Sequence, residues 1–291
     1  MYKTLKELSE KAAEVGFAEA VLLEDAKERA VSAEEILRET QKTYQAMRDA
    51  DTEYDPVLLS HSGLAGQDGA KMEQYLNTSQ TIGGPFVCKA VMKAIKMGES
   101  NACMKRIVAA PTAGACGVLP ALLLSMQEEN AYSDEEMAKA LLTAAGIGGV
   151  IASTAFIAGA AGGCQAEIGS ASAMAAGAAV YLKGGTPEQI CHAVAMALKN
   201  LLGLVCDPVC GLVEVPCVKR NCVGVVNAIA AADMALAGIQ SKIPADEVIE
   251  AMRSVGMQMP VCLKETSKGG LAVTETAKMY QEQVFGTDSR S

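Results

Sequence analysis

Tryptophan is absent from this 291-residue sequence, and only seven Tyr and four Phe are present. Scattered as they are, these rings cannot form the stacking platforms that single-stranded nucleic acid needs. Positive charge is also in deficit, at 25 Lys and Arg against 34 Asp and Glu, for a net charge of −9. That balance excludes nucleic acid and an anionic membrane as principal partners. Charge of either sign is scarce, at 20% of the chain where soluble domains average roughly 25%. The scarcity is uneven, since fourteen Asp/Glu and eight Lys/Arg fall within residues 1–55. The rest, rich in Ala, Gly, Val, Leu and Met, must cover most of a surface of roughly 12,000 Å². A disordered chain is excluded, and a partner covering part of the apolar surface is expected. The start, Met1-Tyr2-Lys3-Thr4-Leu5-Lys6-Glu7, reads as a helix and not as an export signal. The ten Cys are therefore expected to be reduced thiols in a cytoplasmic protein, where cysteine groups point to metal or catalysis.

Strand alternation is equally scarce, and Val213–Val218 is its best instance. Helical signals dominate. Thr4 with Glu7, Ser32 with Glu35, Ser133 with Glu136 and Thr186 with Gln189 fit the capping box, in which paired side chains satisfy orphan amides. Helices are expected near 4–15, 33–49, 86–98, 118–128, 134–145, 187–200, 218–237, 244–256 and 272–283, with a short one inside 57–85. The fold is read as mostly α, with an acidic helical lobe over 1–55 and one compact unit over 56–291. Ala140–Ala166 carries no charge and is long enough to span a bilayer. Its Ala/Gly composition and its exit into Cys164-Gln165-Ala166-Glu167 argue instead for central helices buried on all sides.

The densest chemical signal is Cys206-Asp207-Pro208-Val209-Cys210, followed by Cys217 and Cys222, with Cys164 upstream. Thiolates suit zinc or an iron–sulfur cluster, yet the spacing is neither a zinc ribbon nor a ferredoxin run. Pro208 and Pro216 favour a bent segment on which ligands could converge with Cys164. Core packing is the competing role of free Cys, and it suits Cys88, Cys103 and Cys191. Histidine is limited to two residues. His192 falls mid-helix and reads as packing. His61, in Ser60-His61-Ser62-Gly63, lies in a Gly-rich loop, where functional side chains concentrate, and its imidazole could bind substrate or move a proton. Pro111-Thr112-Ala113-Gly114-Ala115-Cys116-Gly117 before a helix can cradle an anion, and it lacks the P-loop Gly-Lys-Ser/Thr. Arg106 could pair with a carboxylate.

These segments resemble a known family. Ser60-His61-Ser62, Val108–Gly117, Gly163-Cys164-Gln165-Ala166-Glu167-Ile168-Gly169, Gly203–Pro208 and Gly211–Asn221 are similar to the α chain of bacterial iron–sulfur L-serine dehydratase. The likeness runs from about residue 55 to about 280. It implies elimination of water from L-serine, giving 2-aminoacrylate and then pyruvate and ammonia, in amino-acid degradation. It implies a [4Fe–4S] cluster on Cys164, Cys206 and Cys217, with one iron lacking a Cys ligand, and no pyridoxal phosphate. Cys210 and Cys222 match positions where relatives have non-ligating residues. His61 and Ser62 are the catalytic candidates, and Arg106, Thr112, Ala113 and Gly114 the substrate-binding ones. A separate β chain, in a heteromer, is the implied partner. The C-terminal Cys that can cap the open iron in single-chain relatives is absent from Val284–Ser291. A cysteine desulfidase-like lyase and a zinc-binding scaffold are the rival readings.

Overall fold

The computed structural model describes residues 2–78 and 80–286. In chain order the helices are α1 (Leu5–Val15), α2 (Phe17–Arg29), α3 (Ala33–Thr52), α4 (Asp68–Leu76), α5 (Gly84–Ala102), α6 (Val118–Asn130), α7 (Asp134–Thr154), α8 (Gly159–Gly162), α9 (Ser170–Leu182), α10 (Pro187–Lys199), α11 (Cys217–Leu236), α12 (Ala245–Gln258) and α13 (Glu275–Phe285). Among the described residues there is no strand, only an isolated bridge between Cys206 and Lys264.

Local sequence sets most of the helix starts. The Ser133–Glu136 and Thr186–Gln189 boxes form completely at α7 and α10. Thr4 and Ser32 accept from the amides of Glu7 and Glu35, without the reciprocal carboxylate bond. Asp246 of α12 takes over part of that work at α1, accepting from Leu5 N–H at 2.7 Å and Lys6 N–H at 3.1 Å.

At the centre lies α9, buried without interruption from Ser170 to Val180. Its small side chains let α6, α7, α10 and α11 pack closely around it. Leu119, Leu122, Leu123 and Ile147 complete the same core and are at most 1% exposed. Each such side chain contributes roughly 1.5–3 kcal/mol by leaving water. Leu5, Leu8, Phe17, Tyr44 and Met47 of α1–α3 join this core. α7 is long and apolar enough to cross a membrane, but most of it is buried against other helices.

Three local expectations need correction. Residues 1–55 hold three helices and not two, since Gly16 (φ 94°) separates α1 from α2. The buried residues of α2, Phe17, Ala18 and Ala20, bunch in its first turn, so no helical stripe marks it. Val213–Val218 is no strand, because Val213–Pro216 is irregular and α11 begins at Cys217. The last helix starts at Glu275, capped by Thr274, with a 3-10 turn over Gly270–Val273.

Candidate metal centre

Three irregular segments meet at one end of the central helices. Cys164 sits between the short α8 and a π turn over Gln165–Gly169, a form often found at functional sites. Buried Gln165 fixes this turn. Its amide donates to Gly162 O at 2.9 Å and Met252 O at 3.0 Å, while its carbonyl oxygen accepts from Gly203 N–H at 2.9 Å.

Cys206 lies on an extended loop held from two sides. Its N–H donates to Leu263 O at 2.9 Å, and its C=O accepts from Glu265 N–H at 2.7 Å. Arg220 braces the same loop, donating to Val205 O at 2.7 Å and to Asp207 Oδ1 at 2.8 Å. Asp207 also accepts from Leu271 N–H at 2.8 Å. Cys217 is the first residue of α11. One turn on, Asn221 donates to Cys217 O at 2.9 Å and Gly114 O at 2.8 Å, and accepts from Gly117 N–H at 2.8 Å. The Thr112–Gly117 turn is thereby locked to the helix that carries Cys217.

Cys164, Cys206 and Cys217 are free thiols, with Cys164 raising the pKa of the other two and Cys217 that of Cys206. Burial is the largest cause in each case. It pushes Cys164 up to about 11, against the lowering effect of Arg220. Cys217 is pushed up to about 12 by burial, then by Cys164 and Glu167. Cys206 is raised by burial, then by Cys164 and Glu167. Ionised together, three such thiols would need compensating cations, as a bound metal centre supplies. Among the described residues no three His, Cys, Asp or Glu side chains close around a single metal ion. One zinc would bring its thiolates to within roughly 4 Å of one another, given Zn–S near 2.3 Å. Ligands on separate irons of a cluster stand further apart. Three thiols are a soft donor set of the kind that iron–sulfur clusters take.

Glu167 stands between the thiols and the Thr112 turn. Its Oε1 accepts from Thr112 Oγ1 at 2.7 Å. A Cβ at Gly159 would lie 2.7 Å from Glu167 Oε2 and 2.8 Å from Cys206 Sγ, and one at Gly114 would lie 3.2 Å from Glu167 Oε1. The two glycines leave open a cradle that any side chain would fill. The Glu167 carboxyl is held above its usual range by burial, with a smaller effect of Glu265 in the same direction, against the Thr112 bond. A partly buried carboxyl whose pKa is raised by burial has the character of an acid–base group.

A sequence model described as the serine dehydratase alpha chain matches residues 12–272. The chain belongs to the serine dehydratase alpha chain family. A probable L-serine dehydratase alpha chain of Bacillus subtilis (strain 168) is 46% identical over 288 residues, covering 98% of this chain and 96% of the relative. Its counterpart in Latilactobacillus sakei is 56% identical over 203 residues, covering 70% of this chain and 97% of the relative. An L-serine dehydratase of Streptomyces coelicolor is 45% identical over 182 residues, covering 62% of this chain and 40% of that longer protein.

In this member of the family, Thr112 and Gly114 reach the Glu167 cradle, and Ala113 is exposed on the same turn. His61 is exposed at a loop tip, while Ser62 hydrogen-bonds to Glu214. Arg106 is exposed and makes no ion pair or side-chain hydrogen bond among the described residues. The guanidinium beside the thiols is that of Arg220, which sequence reasoning passed over. Glu167 was likewise missed. Both lie inside the quoted motifs, three residues after Cys164 and Cys217, but spacing alone gives no sign of burial. Cys222 contacts the carbonyls of Val91 and Val218, and Cys210 sits in the left-handed region (φ 59°) near Glu214. The C-terminal tail from 287 onward lies outside the described residues.

Proposed function

We propose that this chain is the catalytic α subunit of an iron–sulfur L-serine dehydratase, an L-serine ammonia-lyase. One observation carries the reading: three free thiols, Cys164 and Cys206 buried and Cys217 partly buried, meet beside Glu167 and the Thr112–Gly114 turn. They are the ligands for a [4Fe–4S] cluster with one iron free of Cys. When bound, that cluster supplies a Lewis-acidic iron to draw off the poorly leaving hydroxyl of serine.

The chain's own residues do the rest. Thr112, Ala113 and Gly114 receive the substrate carboxylate, since the first amides of a helical turn have no partner of their own. Arg106 adds positive charge from the surface. Glu167 takes the Cα proton, and His61, above the fixed Ser62, holds the substrate from the loop side. Loss of the Cα proton and the β-hydroxyl gives 2-aminoacrylate and water. The enamine tautomerises to the imine, which water converts to pyruvate and ammonia. No pyridoxal phosphate takes part. A separate β chain covers part of the charge-poor surface in a cytoplasmic heteromer.

The test is a comparison of L-serine and L-cysteine as substrates of oxygen-free protein supplied with its β chain. L-Serine is expected to be turned over at least about tenfold more efficiently, a difference of ~1.4 kcal/mol in transition-state stabilisation. The reverse order would assign the chain to sulfide elimination instead.

A further inference from the structure

The loop that carries His61 is a closed turn. Ser60 N–H donates to Ala65 O at 2.8 Å and Gly63 N–H to Ser60 O at 2.9 Å. Its two hydroxyls share one acceptor: Ser60 Oγ at 2.8 Å and Ser62 Oγ at 2.5 Å both donate to Glu214 Oε2. The same hydroxyls accept from Ala65 N–H at 3.2 Å and Leu64 N–H at 3.1 Å. With both serines turned toward Glu214, His61 between them is left facing outward, and it is exposed.

Glu214 is only 6% exposed, and no cation pairs with it among the described residues. A buried carboxylate without a counter-charge costs stability that an apolar residue would not. Its backbone does a second job. Glu214 O accepts from Val218 N–H at 3.0 Å, in the first turn of the helix that opens with Cys217.

We propose that Glu214 is a positioning residue, which fixes the direction of His61 and ties the histidine loop to the start of the Cys217 helix. This rests on the roles given above to His61 and Cys217. The clamp makes the loop's order depend on the segment that carries a cluster ligand.

The experiment compares wild type, Glu214→Gln, Glu214→Ala and Ser62→Ala, all oxygen-free, with His61→Ala as reference. Hydrogen exchange over residues 57–67, iron and sulfide content, and KM and kcat for L-serine are read on each. Glu214→Gln keeps an acceptor oxygen and is expected to stay near wild type. Glu214→Ala is expected to keep its iron while loop exchange quickens about tenfold or more. Its kinetic constants should move about tenfold toward those of His61→Ala. Ser62→Ala removes one donor without orphaning the carboxylate, and should show a smaller shift in the same direction. It carries the test if Glu214→Ala does not fold. Unchanged loop exchange in Glu214→Ala or Ser62→Ala overturns the proposal, as does equal impairment of Glu214→Gln and Glu214→Ala. A wild type that ignores L-serine would defeat the assigned function instead, while its loop exchange would still report on the clamp.

Discussion

Cys206→Ser is expected to lose iron, labile sulfide and L-serine turnover together. The same holds for Cys164→Ser and Cys217→Ser, because each would supply one of the three protein ligands. An open-iron Lewis acid that contributes about 4 kcal/mol to the transition state is a thousandfold rate effect, so turnover should fall by at least about that factor. Cys222 supplies the contrast. Its thiol donates to the carbonyls of Val91 and Val218 and packs against the apolar core, and Cys222→Ala should keep iron and sulfide at wild-type levels. Iron and sulfide assays beside turnover, on protein kept oxygen-free, make the check. A Cys206→Ser protein with full iron content would remove Cys206 from the ligand set.

Glu167→Gln should lose activity by a different route. The amide keeps the shape of the carboxyl and can still accept from Thr112, which donates at 2.7 Å in the native chain. It cannot take a proton. General-base assistance contributes roughly 10²–10⁴ in rate, and kcat for L-serine should fall by about that range. KM should change far less, and iron content should match wild type. Loss of iron in Glu167→Gln would make this residue a support of the thiols. Unchanged kcat with iron intact would return the proton to another group.

The sequence made the helical class legible through its caps, and both complete capping boxes lie where their spacing places them. It could not reveal α2, whose buried residues follow one another in a single turn instead of recurring along a stripe. The thiols were legible as a set only through long motifs. Cys210 and Cys222 are closer in sequence to Cys206 and Cys217 than the proposed ligands are to each other. Folding separates them, since Cys222 turns to the α5 side of its helix while Cys217 stands at the helix start. Arg220 and Glu214 were hidden for a related reason. Each acts through partners far away in sequence, Val205 and Asp207 for one and Ser60 and Ser62 for the other. No period or spacing encodes such a partner. Arg106 was legible from its nearness to a motif and lies at the surface, while the guanidinium beside the thiols is that of Arg220.

The most direct measurement is the iron and sulfide content of the oxygen-free protein, together with its cluster spectrum before and after L-serine is added. The account predicts about four irons and four sulfides per chain, as in a [4Fe–4S] cluster, and a spectrum that changes with L-serine. Zinc in place of iron and sulfide would contradict it, as would a full cluster whose spectrum ignores L-serine while turnover proceeds.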